Sequence, residues 1–267
     1  MISGSLKRTD EAIEDLREFF RHYYYTHLQQ DKDSEKHYQL KYNHSLRVAG
    51  YCITIAEALH LSETDISLAY ITGLLHDIGR FDQLKRYGTF NDAASTDHAS
   101  LSCQVIKSHN ILRFLSPGQQ QDILTAIENH NKIAVDQNVK GFTLQLSRLI
   151  RDADKTDIYQ VVTDYYAHKQ ENQDARMQLG LPDTGDIHPE FLQRMHKHQL
   201  LDIHQVKNLN ELKLLQISWI FDINYKETLQ LIHHNHSVEK IFASLPAKQK
   251  NRQLKQDIVS FIEQKIK

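Results

Sequence analysis

The sequence is poor in the residues that break helices. Across 267 positions it has nine glycines and four prolines. Sandwiches and barrels need frequent turns and draw on both, so their scarcity disfavours β architectures and favours helices. Cysteine is scarce too. The two present, Cys52 and Cys103, each sit in an apolar helical pattern. They read as buried reduced thiols, since no spacing supports a disulfide framework. Net charge is also nearly absent, at −2, which gives no case for a nucleic-acid or membrane surface. No run approaches the roughly 18 apolar residues of a membrane span. The opening residues, MISGSLKRTDEAIEDL, lack an apolar core of signal-peptide length. A cytoplasmic protein is expected.

What the sequence does contain is apolar residues at helical spacing. Ile13, Leu16, Phe20 and Tyr23 place a first helix over about 10–28. A charged stretch, 29–36, reads as a loop. The next helix opens near His44 and carries Val48, Cys52, Ile55 and Leu59 on one face. Ser62-Glu63-Thr64-Asp65 resembles a capping box. The helix it opens carries Ile66, Ala69 and Gly73 and reaches His76-Asp77, with Gly79 suited to cap its end. Residues 81–97 read as an ordered loop, a candidate active-site wall that includes Tyr87, Gly88 and Asp92.

Asp97 suits the cap of a helix bearing His98, Leu101 and Val105. Ser116-Pro117-Gly118-Gln119 is a second capping box, with proline at the first helical position. Its helix carries Ile123, Ile127 and His130. A long helix follows over about 143–169, with Leu146, Ile150, Asp154, Ile158 and Val161 in register. The stretch 180–189 (GLPDTGDIHP) holds two of the four prolines and is the clearest break. Beyond it, 209–221, 226–233 and 250–266 read as helices. The expected architecture is all-α: a helical core over 1–180 and a C-terminal helical extension over 181–267 packed on it.

With seventeen histidines in the chain, any single one carries little information. The faces they occupy carry more. His44 shares a stripe with Val48, Tyr51 and Ile55, His76 with Ala69 and Gly73, His98 with Leu101 and Val105, and His130 with Ile123 and Ile127. Asp154 lies one turn from both Ile150 and Ile158. Each ionisable group therefore points towards the core. Burying even a neutral polar group without a partner costs on the order of 2–7 kcal/mol. A divalent cation satisfies several inward imidazoles and carboxylates at once. Nitrogen and oxygen donors suit Mn, Fe, Co, Ni or Zn, and the lack of cysteine ligands disfavours a structural zinc site.

The segments NHSLRVAGY (43–51), LLHDIGRF (74–81), STDHASLS (95–102), IENHN (127–131) and IRDADKTDIY (150–159) resemble those of the HD-domain metal-dependent phosphohydrolases. The resemblance runs from about Lys41 to Tyr159 and implies an HD-type helical bundle. The family pattern of a His, a His-Asp pair and a distal Asp falls on His44, His76, Asp77 and Asp154. Asp152 is the alternative register for the last, and the Ala153-Asp154-Lys155 context favours Asp154. Members with two metals add histidines between the pair and the distal Asp, which His98 and His130 match. Asp77 then bridges two ions, and the cofactor is one or two divalent transition metals. His109 is a weaker competitor.

The resemblance implies a phosphohydrolase that uses metal-activated water on a small phosphorylated substrate, nucleotides included, with phosphomonoesters and phosphodiesters both in range. Asp77 binds metal and orients the water, and Arg47 and Arg80 are the first candidates to contact phosphate, because guanidinium suits bidentate contact. Lys85, Arg86 and Lys155 rank behind them. The chain lacks Gly-Tyr-Pro after His130 and the Glu-Asp pair of alarmone hydrolases after Asp77, which leaves a generic member. Two other readings stay open: a di-iron HD oxygenase, and a silent metal- or nucleotide-binding sensor. His233-His234-Asn235-His236 is a poor metal site because adjacent helical side chains diverge. Tyr23-Tyr24-Tyr25 and Trp219 read as packing residues. Substrate, metal identity and oligomeric state are not legible.

Overall fold

A computed structural model describes residues 2–167, 180–183 and 185–267, with side chains from residue 11 onward. It is all-α, and no strand occurs among the described residues. The chain divides into two compact units, Met1–Asp154 and Lys155–Lys267.

The first unit contains α1 (Ile2–Gln30), α2 (Glu35–Ala58), α3 (Glu63–Leu75), α4 (Gly79–Tyr87), α5 (His98–Ser108), α6 (Pro117–Asn129) and the start of α7 (Gly141–Ala167). Short 3-10 turns cover Lys32–Ser34 and Asp92–Ala94. α3 is the hub. It buries eight consecutive residues, Leu68 to Leu75, and so is apolar all round rather than amphipathic, as a helix at the centre of a domain must be. It packs chiefly on α2. Gly73 makes that approach possible: a Cβ there would lie 2.8 Å from the Ala49 Cα and 2.8 Å from the Cys52 Sγ. Because α3 is enclosed on every side, the His76-Asp77 pair at its end emerges inside the core.

Several expected boundaries differ from the structure: α1 begins at Ile2, and the helix expected over 209–221 ends at Ser218. α2 opens at Glu35, not near His44; its first turns are largely exposed and carry no apolar stripe to announce them. Gly79 is not a C-terminal cap. It is the first residue of α4, and a Cβ on it would lie 2.5 Å from the Ser102 N and 2.8 Å from the Leu101 C. Its missing side chain serves a close crossing with α5, which the Gly79 N–H seals by donating to the Ser102 Oγ at 3.0 Å. The stretch 81–97 is accordingly not all loop. Phe81 and Leu84 bury one face of α4, which runs to Tyr87 and ends at a left-handed Gly88.

The N-caps fall at the expected residues. Ser62 accepts from the Asp65 N–H, Asp97 from the Ser100 N–H, and Ser116 with Gln119 forms a complete capping box with Pro117 at the first position. α7 is continuous over its described length, and the expected end at Lys169 lies outside the described residues. Cys52 and Cys103 are free and buried.

The second unit contains α8 (Pro189–His196), α9 (Leu209–Ser218), α10 (Lys226–His234), α11 (Ser237–Ala243) and α12 (Gln249–Ile266). Its own apolar cluster includes Tyr159, Met195, Leu214, Ile217, Ile241, Leu254 and Ile258. Trp219 packs against it and meets Tyr159 edge-on. No helix of the described residues is long and apolar enough to cross a membrane.

Candidate metal centre

Four segments of the first unit deliver imidazoles to one place. α2 brings His44, the end of α3 brings His76, the first turn of α5 brings His98 and the end of α6 brings His130. All four are at least nine-tenths buried, as is Asp77. Asp154, from α7, is partly covered. Its Oδ1 lies 3.1 Å from the His44 Nε2 and 3.8 Å from the His76 Nε2.

The six residues form two groups around one carboxylate. The Asp77 Oδ2 faces the His44 Nε2 at 3.6 Å and the His76 Nε2 at 3.7 Å. Its Oδ1 faces the His98 Nε2 at 3.5 Å and the His130 Nε2 at 3.8 Å. The two imidazole pairs point at each other: His44 and His76 Nε2 atoms are 3.2 Å apart, His98 and His130 Nε2 atoms 3.0 Å. Asp154, and not Asp152, joins this constellation.

The tautomers follow from the other ring nitrogens. The His76 Nδ1 is 2.8 Å from the Gly73 carbonyl oxygen and the His130 Nδ1 is 2.7 Å from that of Ile127. A carbonyl only accepts, so both Nδ1 atoms carry the proton. The His98 Nδ1 is 2.5 Å from an Asp92 carboxylate oxygen, which fixes its proton in the same way. In their neutral forms His98 and His130 therefore turn two lone pairs towards each other across 3.0 Å. The buried Asp77 Oδ1 beside them accepts no hydrogen bond. A cation relieves both defects at once, so the residues present fit one or two divalent ions bound by nitrogen and oxygen.

The electrostatics agree with that fit. Burial works against the Asp77 charge, but Lys41, then His76, Arg80 and His98, hold its pKa well below the carboxylate range. Burial likewise opposes the Asp154 charge, and His44, His76 and His130 more than offset it, leaving the pKa low. Burial pushes His76 down, and burial with His98 and His76 pushes His130 down to about 3. Anionic carboxylates beside neutral imidazoles are the protonation states that metal binding requires.

Two residues outside the expected set belong here. The Lys41 Nζ donates to the Asp77 Oδ2 at 2.8 Å. It lies on α2 one turn before His44, and that spacing is the signal the sequence held. Asp92 orients His98 and also accepts from the Arg80 Nη1 at 2.9 Å and the Gln83 Nε2 at 2.9 Å. No sequence periodicity marks it. Of the expected phosphate contacts, Arg80 stands closest to the centre: its Nε is 3.5 Å from the Asp77 Oδ1 and has no hydrogen-bond partner, while its Nη1 also binds the Phe90 carbonyl. Arg47 is half-buried on α2, one turn after His44. Lys85 donates to Gln30, Arg86 to Asp82 and Lys155 to Asp222. His109 ends α5 exposed, its ring against Phe19 and Tyr23. Among the described residues, the 233–236 histidines form no metal-ligand group.

The backbone around these side chains is tied down. The Arg151 guanidinium, buried on α7, donates to the carbonyls of Asn129, His130, Lys132 and Ile133, at and just beyond the end of α6. The Ser100 Oγ donates to Glu128 at 2.6 Å, joining α5 to α6.

Residues 42–159 match the family model of the HD domain. That stretch is similar to the HD domain, which is typical of a superfamily of metal-dependent phosphohydrolases, and the His and Asp groups above fit the HD-domain metal-binding motif. Comparison with curated proteins gave no match, and comparison with solved structures gave none.

Proposed function

We propose that this protein is a metal-dependent phosphohydrolase that cleaves phosphomonoesters or phosphodiesters, with nucleotides within its range. The observation that carries the reading is the pair of imidazole couples turned onto opposite oxygens of one buried aspartate. His44, His76, Asp154 and the Asp77 Oδ2 would hold one divalent ion, and His98, His130 and the Asp77 Oδ1 a second. Bound there, such ions supply Lewis acidity, lowering the pKa of water towards about 7 and drawing charge from phosphoryl oxygens.

The chain's own residues do the remainder. Asp77, with one oxygen facing each imidazole couple, would contribute to both positions. The Arg80 Nε, buried 3.5 Å from the Asp77 Oδ1 and without a hydrogen-bond partner, would offer its N–H to a phosphoryl oxygen. Arg47 adds positive charge from α2. Burial of the ligands keeps the charges in a weakly screened setting, where each acts more strongly than in water.

The test is a panel of nucleotides and general phosphoesters assayed with added Mn, run on the wild type and on His76→Ala and Asp77→Ala variants. Hydrolysis lost in both variants, with circular dichroism unchanged, supports the reading. Iron-dependent consumption of O₂ without phosphate release would replace it with an oxygenase, and metal binding without turnover with a sensor.

A further inference from the structure

Asp92 lies outside the ligand set, on a short 3-10 turn between α4 and α5, yet its two carboxylate oxygens reach two parts of the centre. Oδ2 accepts a hydrogen bond from the His98 Nδ1–H at 2.5 Å. Oδ1 takes hydrogen bonds from the Arg80 Nη1 and the Gln83 Nε2, both at 2.9 Å. Gln83 is wholly buried, and its amide also donates to the Ser95 Oγ and the Thr96 carbonyl, each at 2.9 Å. The turn is thereby fastened to α4 from below. Asn131, just past α6, closes the far side with its Nδ2 3.4 Å from the Asp92 Oδ2 and 3.3 Å from Asp97.

We infer that Asp92 is a positioning residue that ties the second ion position to Arg80. Its first effect is on His98. A carboxylate on Nδ1 locks the ring in the tautomer that keeps the Nε2 lone pair free for a cation, and it sets the ring's orientation. The second position needs that help. It has one shared carboxylate, from Asp77, where the first also has Asp154, whose Oδ1 lies 3.1 Å from the His44 Nε2 and 3.8 Å from the His76 Nε2. The second effect is on Arg80. The same carboxylate holds the guanidinium so that Nε faces the Asp77 Oδ1 at 3.5 Å. Occupation of the second position and contact with a phosphoryl anion are therefore coupled through one side chain. This inference rests on the metal-centre reading above.

Zinc alone, followed by inorganic phosphate, is the probe, used on the full chain. Wild type should bind two zinc ions per chain in competition with a chromophoric chelator. Asp92→Asn should leave the first within about threefold and weaken the second by about 10–100-fold. Phosphate should bind the zinc-loaded variant more weakly than the loaded wild type, and Asp92→Glu should recover part of both losses. A general structural defect would weaken both ions together. ¹⁵N NMR of histidine-labelled wild type should show His98 protonated at Nδ1 with zinc and without it. That measurement decides the matter should Asp92→Asn fail to fold: a ring protonated at Nε2 overturns the inference. Two ions bound equally by wild type and variant overturn the role of Asp92 while leaving the metal centre standing. A wild type that takes up no zinc overturns both.

Discussion

The two units bury polar side chains in opposite ways. In Lys155–Lys267 Tyr159, Lys213 and Glu211 turn to the backbone. The Tyr159 hydroxyl donates to the Gln216 carbonyl at 2.9 Å, and the Lys213 Nζ to that of Ser244 at 2.6 Å. The Glu211 carboxylate accepts from the N–H groups of His188 and Lys207 at 3.0 and 2.8 Å. Each contact finishes a cap or a turn, and the group is content where it sits. In Met1–Asp154 the buried His76 and His130 imidazoles use one nitrogen in that manner and turn the other onto a neighbouring imidazole with the same need. Burial by itself does not distinguish a structural polar group from a functional one. A group whose second valence is left facing its own kind does.

The largest expected effect comes from removing the atom pair on which the first unit converges. Asp77→Asn keeps the volume and removes the charge. It should abolish uptake of both ions and reduce phosphoester turnover at least about 10³-fold, or about 4 kcal/mol of barrier. Metal content by elemental analysis and turnover with Mn measure the two separately. An Asp77→Asn protein that still carries two ions would mean that Asp77 does not bridge.

The second unit should respond in stability alone. Ile217 is fully buried in its apolar cluster. Ile217→Ala should cost about 2–5 kcal/mol by lost transfer and cavity formation, read from urea unfolding. Zinc stoichiometry should not change. If the variant loses an ion, the contrast between a structural and a functional interior fails.

Gly73 lies between these cases. Gly73→Ala forces a methyl group against Ala49 and Cys52 on α2, at an expected cost of about 1–3 kcal/mol. The same residue offers its carbonyl to the His76 Nδ1, so a shift of α3 on α2 moves His76 relative to His44. Zinc affinity at the first position should fall about tenfold by chelator competition. A destabilised variant with undiminished affinity would show that the helix crossing and the ligand geometry are independent.

Gly73 and Gly79 also show where sequence reading stopped. Helical periodicity located α1, α3 and α5 to α7 because each carries apolar residues at regular spacing, and the caps at Ser62, Asp97 and Ser116 fixed several starts. The same regularity turned the His44, His76, His98, His130 and Asp154 side chains inward on paper before any packing was known. A glycine, however, has two physical meanings, a left-handed turn and a missing Cβ. Gly79 stood where a cap was plausible, and its contact with α5 lies far along the chain. Reading it as a cap erased α4. The sequence does not single out Lys41, and it places Asp92 only in a candidate active-site wall, for a related cause. A lysine on a helix face and an aspartate in a turn are ordinary as letters, and their meaning depends on what tertiary structure sets beside them.

The smallest effect concerns an ionisable group of the first unit that does not face the metal centre. Asp82, on α4, accepts from the Tyr23 hydroxyl of α1 and from Arg86 at 3.1 Å, with the His27 Nε2 at 3.7 Å. Burial would raise its pKa, but the hydrogen bonds of His27 and Tyr23 outweigh that and bring it down to about 2. A carboxylate depressed in the folded state adds stability that is complete above its unfolded pKa, about 3.9, and is lost as pH falls through the folded value. The group is partly exposed, so screening leaves about 1 kcal/mol. The gap in unfolding free energy between wild type and Asp82→Asn should therefore be constant from pH 7 to about 5 and close between about 4 and 2. Protonation of the metal ligands occurs in both proteins and cancels in the difference. A gap that widens on acidification would show that Asp82 is destabilised by its burial and that its partners do not compensate it, contrary to their geometry.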